Sequence, residues 1–286
     1  MKINTKLIAE IGSNHNRSLK RCYKIIDEAK NLGFYAVKFQ LFKIDKLFSK
    51  EAKKTFKVIS KKRKRELPVS FLPKLFKYCK KKKIKFGCTP FDLKSVEILK
   101  PYVDFYKIAS YEMNWKELLE ACAKTKKPII LSTGMATFAE VKKAYKTIFK
   151  INKNISMLHC VSAYPASPKS CNLNSIKYLR IKFKCKVGWS DHTVNPLIIY
   201  NVIKDQKADF IELHFDLDGL GWEEKEGNNH CWMPKNLRKL LDYINYERLI
   251  NGTLKKNFSL EEKIERQFRT DPYDGLRPIK TFRKKL

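Results

Sequence analysis

Several common signals are missing from this sequence. No apolar run approaches the roughly 18 residues that a membrane-spanning helix needs, which argues against a helical membrane protein. The eight cysteines stand singly, with no Cys-x-x-Cys pair, so a zinc ribbon is excluded. A chain of 286 residues that is 43% hydrophobic can bury a core without disulfides, so reduced and mostly buried thiols are expected. There is no Gly-x-Gly-x-x-Gly turn of the kind that cradles a dinucleotide. Met1-Lys2 runs directly into a strand-like segment with no signal-peptide pattern, and together these absences set the expectation of a cytoplasmic protein with no membrane partner. Acidic residues are scarce: 29 Asp and Glu stand against 61 Lys and Arg, a formal charge of +32. That balance raises the question of nucleic acid. The lysines are spread along helix-like segments and are not interleaved with stacking aromatics, so they read as solvated faces and no nucleic-acid partner is expected. They can still help to capture anionic substrates.

What is present is an alternation. Short β-rich runs at 6–14, 35–42, 84–90, 105–110, 128–134, 155–161, 185–191 and 210–216 are separated by amphipathic stretches at helical spacing. Helices are expected at 18–32, 71–82, 93–99, 115–125, 137–150, 173–182, 196–206 and 234–250. Strict alternation implies a parallel sheet with helical crossovers, and eight units in about 250 residues suit a closed (β/α)8 barrel. The expected organisation is one barrel domain over 1–255 and a C-terminal extension over 256–286. Residues 43–70 form a basic insertion after the second strand, and 217–233 a long loop after the eighth. In the tail, Phe268, Tyr273 and Leu276 are apolar anchors, whereas the terminal Phe-Arg-Lys-Lys-Leu reads as disordered.

One residue in the first strand resists this reading. Glu10 sits among Leu7, Ile8, Ala9 and Ile11, where an unpaired carboxylate costs several kcal/mol. It is tolerable if it faces a polar cavity. Barrel enzymes build such cavities at the carboxyl ends of their strands, and polar residues collect there. They are Glu10, Asn14 and His15 from the first strand, Lys38 and Gln40 from the second, and Thr89 from the third. The fourth gives Lys107, Ser110 and Glu112, the fifth Ser132 and Thr133, and the sixth His159, Ser162 and Tyr164. Ser190 and His192 follow from the seventh, and Glu212 and His214 from the eighth. Four of five histidines, His15, His159, His192 and His214, lie at or just past strand ends, and the fifth, His230, lies in the loop after the eighth strand. Lys38, Lys107, Ser110 and Ser132 suit an anionic group such as phosphate or carboxylate. His192 and His214, on neighbouring strands, could hold a divalent metal with open positions. Nitrogen ligands favour manganese, cobalt or zinc over magnesium.

Seven stretches in order, IAEIGSNHN, AVKFQLF, TPFD, YKIASYEM, KPIILSTGMAT, LHCVSAYPA and VGWSDHT, resemble the N-acetylneuraminate (sialic acid) synthase family over roughly residues 5–216. The resemblance implies condensation of phosphoenolpyruvate with an N-acetylated amino sugar, release of phosphate, a divalent ion (manganese first, magnesium or cobalt as alternatives) and a homodimer. It implies that Lys38, Thr89, Lys107, Ser110, Ser132 and Ser190 hold phosphoenolpyruvate. His192 and His214 would bind the metal, and Gln40, Glu112 and Tyr164 would face the sugar. Glu10 would be the acid/base residue, with Lys38 and Lys107 beside it in the catalytic set. Three departures fall on the sugar side. The small antifreeze-like C-terminal domain has no counterpart in the short tail. Asn229 stands where the family loop usually carries an Asp, and Ser162 where an Asn is common. Trp222 and Trp232, in or beside that loop, are expected to stack on a sugar. A phosphoenolpyruvate-dependent synthase with another acceptor and a non-catalytic carbohydrate- or nucleic-acid-binding barrel are the alternatives.

Overall fold

The computed structural model describes residues 4–225, 229–252 and 255–285. Eight parallel strands close into a barrel in chain order. They are β1 (Lys6–Gly12), β2 (Ala36–Leu41), β3 (Lys85–Pro90), β4 (Phe105–Ile108), β5 (Ile129–Ser132), β6 (Ile155–Cys160), β7 (Lys186–Asp191) and β8 (Phe210–His214). Each lies inside the segment expected for it, and the eight expected helices are all present. The (β/α)8 architecture is therefore the one the periodicity implies. The helix Leu19–Asn31 shows the local logic. Cys22, Ile25, Ile26 and Ala29 fall on one face and are buried, Ser18 Oγ accepts from the Arg21 amide, and Gly33 at φ 80° turns the chain.

The inside of the barrel is built in two layers. Ile8, Ala36, Phe105, Ile130, Leu158 and Phe210 form a buried apolar cluster of their own. Two residues further along the same six strands come Glu10, Lys38, Lys107, Ser132, Cys160 and Glu212, which line a cavity. The strand period of two keeps both sets pointing inward. The apolar layer is thus a floor and the polar layer the base of a site. Gly87 makes the floor possible, because a Cβ there would lie 2.2 Å from the Phe105 ring.

Residues 43–70 are more than an insertion. They fold into short helices at Ile44–Leu47, Lys50–Thr55 and Lys57–Lys61. Phe42, Ile44 and Ile59 form a small core there, and buried Glu66 accepts from the Ile44 amide at 2.9 Å and from Lys43 Nζ at 2.8 Å.

The chain divides into two units, Met1–Ile244 and Asn245–Leu286, so the division falls before the boundary expected at residue 255. Within the second unit, buried Asp271 accepts from the amides of Tyr273 and Lys280, and the Phe268 and Phe282 rings meet at 5.4 Å. The expectation of disorder from Phe282 onward is corrected for the described residues. Phe282 and Arg283 belong to the short helix Lys280–Arg283, held by that ring contact and by an Arg283–Asp274 ion pair.

Candidate active site

A cavity of about 420 Å³ opens at the carboxyl ends of the strands. Its base is set by strand register. Glu10 pairs with Lys38 on β2 and with His214 on β8, Gln40 pairs with Thr89, and Ser190 pairs with Glu212. Glu10 is therefore flanked by a cation and an imidazole. Its carboxylate meets Lys38 Nζ, Gln40 Nε2 donates to it at 2.9 Å, and Lys38 Nζ also donates to Thr89 Oγ1 at 2.9 Å. Burial raises the Glu10 carboxyl above its ordinary range against the pull of Lys38, and neighbouring Glu212 adds to the rise. The strand was read correctly, and Glu10 is at home in it because it points into this polar layer.

Glu212 is the second anion of the base. It accepts from Lys107 Nζ at 3.1 Å and from Ser190 Oγ at 3.3 Å, and lies 4.0 Å from Lys38 Nζ. Burial pushes this carboxyl up, but Lys107 and Lys38 outweigh it and hold it down at about 2. The sequence named Glu212 as a strand-end residue without giving it a role. Its role follows from placement: it is the counter-ion of two lysines that cannot snorkel to solvent. Ser132 Oγ is buried here without a hydrogen-bond partner, while Ser110 Oγ accepts from the Gly134 amide at 2.9 Å.

Three imidazoles meet beside this base. His192 and His214 have ring centroids 5.2 Å apart, and His230 lies 4.6 Å from His214. His192 Nδ1 is 2.6 Å from the Val161 carbonyl, which can only accept, so Nδ1 carries the proton and Nε2 keeps a lone pair. Burial, with His214 adding to it, lowers His192 to about 3, which keeps the ring neutral. His214 Nδ1 lies 2.8 Å from Glu223 Oε2. Both rings therefore have Nδ1 occupied and Nε2 left for a ligand, the donor set a divalent ion uses. The same corner groups His214, Glu223, His230 and Cys231 closely enough to hold a metal ion among the described residues.

Of the residues expected at the site, Glu10, Lys38, Gln40, Thr89, Lys107, Ser110, Ser132, Tyr164, Ser190, His192 and His214 line this cavity. Among the described residues the lining does not include Glu112, Ser162 or Asn229. Glu112 is buried, Ser162 half-buried and Asn229 exposed. The expected convergence of four histidines is corrected. His15 Nδ1 accepts from the Arg17 amide and His159 Nε2 meets the Cys171 carbonyl, so neither reaches the cavity, whereas His230 does. Trp232 is fully buried and donates to Asp191, so it cannot stack on a sugar, and Trp222 is covered by Lys64. Sequence reasoning assigned no site role to Glu223, which lines the cavity from the loop after β8, or to Lys62 and Arg65, which line it from the short 3-10 helix Lys62–Arg65.

Glu112 carries a pH signature. Burial raises it from 4.5 to about 7, despite a backbone hydrogen bond and nearby Lys107, and one of its oxygens has no partner. The folded protein holds this proton more tightly than the unfolded chain does. Its contribution is therefore fully present below pH 4.5 and is lost as pH rises toward 7. Urea unfolding at pH 5 and 7.5 is expected to show a smaller fall in stability for Glu112→Gln than for the wild type. Equal falls would place Glu112 in solvent.

Residues 25–256 match the NeuB family. The chain is 34% identical over 276 residues to the N,N'-diacetyllegionaminic acid synthase of Campylobacter jejuni, covering 91% of this chain and 81% of that one. It is 33% identical to the spore coat polysaccharide biosynthesis protein SpsE of Bacillus subtilis, covering 83% of this chain and 66% of that one. Among solved structures, the N-acetylneuraminic acid (sialic acid) synthetase of Leptospira borgpetersenii in complex with citrate superposes with a TM-score of 0.77 at 30% identity. That match covers 92% of this chain and 90% of the other.

Proposed function

Since the chain belongs to the NeuB family of sialic-acid-type synthases, we propose that it condenses phosphoenolpyruvate with an N-acetylated amino sugar. The products are a nine-carbon 2-keto acid and phosphate. The observation that carries this reading is one cavity lined both by two buried, carboxylate-paired ammonium groups and by two imidazoles whose Nδ1 atoms are engaged, leaving Nε2 for a ligand.

In this reading Lys38 and Lys107 bind the phosphate and carboxylate of phosphoenolpyruvate, with hydroxyls from Thr89, Ser110, Ser132 and Ser190. The orphaned Ser132 Oγ supports a ligand there. Gln40 and Tyr164 belong to the sugar side, and Glu112, Ser162 and Asn229, expected with them, stand outside the lining. His192 and His214 would hold manganese, which nitrogen donors favour over magnesium. A divalent ion so held would polarise the aldehyde oxygen of the open-chain sugar. The methylene carbon of phosphoenolpyruvate bonds to the aldehyde carbon, water adds to the carbon bearing the phosphate, and the bond to phosphate breaks. Glu10, held by Gln40 and raised by burial, is the group that takes the proton of that water. The enzyme in this reading is a cytoplasmic homodimer with no nucleic-acid partner.

The test is phosphate release from phosphoenolpyruvate with manganese across a panel of amino sugars. Because Lys62 and Arg65 also line the cavity, the panel should include sugars bearing a phosphate. Silence across the panel from folded, metal-loaded protein would favour a non-catalytic carbohydrate-binding barrel.

Lys107→Ala is expected to raise the Michaelis constant for phosphoenolpyruvate about tenfold to a hundredfold, since a charge-assisted contact is worth roughly 1.5–3 kcal/mol. Steady-state kinetics varying each substrate decide it. A change confined to the sugar constant would mean that the two halves of the site have been exchanged.

A further inference from the structure

We propose that Glu223 is a positioning residue that fixes His214 in the tautomer a metal requires, and that the loop after β8 folds as it does to deliver this carboxylate. The proposal rests on the metal-bearing reading of the site and adds to it a residue that the family resemblance does not supply.

Glu223 is buried, and its two oxygens have separate duties. Oε1 accepts from the Ser13 amide at 3.0 Å, and Oε2 faces His214 Nδ1 at 2.8 Å. His230 Nε2 lies 3.7 Å from the same Oε2. A carboxylate can only accept, so it draws the proton to Nδ1 and leaves the His214 Nε2 lone pair free, matching what the Val161 carbonyl does for His192. His214 and His192 thus present the same nitrogen to the cavity by two unrelated devices.

The surrounding chain is shaped around this carboxylate. Gly12 sits at φ 50°, and a Cβ there would come within 1.7 Å of Glu223 Oε1. The Glu223 amide donates to Asn14 Oδ1 at 3.0 Å, and the Trp222 amide to Asn16 Oδ1 at 3.0 Å. A Cβ on Gly221 would lie 2.2 Å from Asn14 Oδ1. At the loop's start, Arg21 pairs with Asp216 and Asp218, and the Gly221 amide donates to Asp216. Asn14 and His15, just past β1, were expected at the site, and the asparagines there have another duty. Asn14 and Asn16 clamp the loop so that Glu223 reaches His214.

Glu223→Gln is the discriminating substitution. An amide has one acceptor oxygen, and the Ser13 amide and His214 Nδ1 both need one. If the oxygen stays with Ser13, an NH2 faces His214 and drives its proton to Nε2, where it blocks a ligand. If the oxygen turns to His214, an N–H opposes the Ser13 N–H. Only the first arrangement can be relieved, because an imidazole can move its proton and a backbone amide cannot, so metal affinity falls by about tenfold to a hundredfold for loss of such an orienting partner.

The test uses the full chain with manganese(II) alone, titrated by calorimetry and by the loss of the free-ion electron paramagnetic resonance signal. Glu223→Gln is expected to bind manganese tenfold or more weakly than wild type, with unchanged far-ultraviolet circular dichroism. Excess manganese should restore turnover while the phosphoenolpyruvate constant stays put, which a merely structural lesion would not allow. Gly12→Ala, which displaces the carboxylate without removing a polar group, should weaken manganese binding in the same direction. Glu223→Gln that binds manganese as tightly as wild type overturns the positioning role. Wild-type protein that binds no divalent ion overturns the metal-bearing reading beneath it.

Discussion

Glu212→Ala is expected to lose about 3–5 kcal/mol of stability, the usual cost of stranding a buried charge. Lys107 would keep its place in the polar layer without its ion-pair partner, and Lys38 would be left with Glu10 alone. Both lysines are about 97% buried, so neither can find water by a change of rotamer. Glu212→Gln, which keeps the shape and an acceptor for Lys107, should lose less. Urea denaturation of the three proteins at neutral pH measures the difference. A loss below about 1 kcal/mol for the alanine variant would mean that the Glu212–Lys107 pair contributes no net stability.

The largest catalytic losses are expected from His192→Ala and His214→Ala. Each removes one of the two Nε2 donors, and the polarisation they support is worth several kcal/mol, so turnover should fall by about a thousandfold or more. The fold should persist, because both side chains stand at the cavity and neither is part of the apolar floor. Metal content and circular dichroism of the purified variants separate loss of the ion from loss of structure. Full metal occupancy in both variants would move the ion toward the Glu223–His230–Cys231 corner.

The barrel was legible in the sequence because it is written in periods. The strands are short apolar runs buried on both faces and the helices between them carry apolar stripes, and such patterns survive without knowledge of neighbours. The polar base was legible for the same reason: Glu10, Lys38, Lys107 and Ser132 interrupt strands that should be dry, and that contradiction marks a site. Glu212 broke its strand in the same way, yet its purpose depended on the register that sets it against Ser190 and near Lys107. Glu223 left no such trace. It lies in a loop with no period, and its amide partner, Ser13, is 210 residues away. His15 and His159 misled for the converse reason. They follow strands as the cavity histidines do, but backbone groups just downstream in the chain hold their rings outside it.

The apolar floor has a consequence for traffic. Ile8, Ala36, Phe105, Ile130, Leu158 and Phe210 close the barrel beneath the polar layer, so among the described residues the cavity has its floor at the amino-terminal end. Lys38 and Lys107 stand at its closed end, while Tyr111 and Tyr164, 66% and 39% exposed, flank the way in. Whatever the lysines bind must arrive before anything that stops at the tyrosines, and must leave after it. Addition should therefore be compulsory in order, phosphoenolpyruvate first and sugar second. Phosphate formed at the closed end has to wait for the nine-carbon product to depart. A sugar that enters early stands in the way to the lysines, and at high concentration the second substrate becomes an inhibitor of the first.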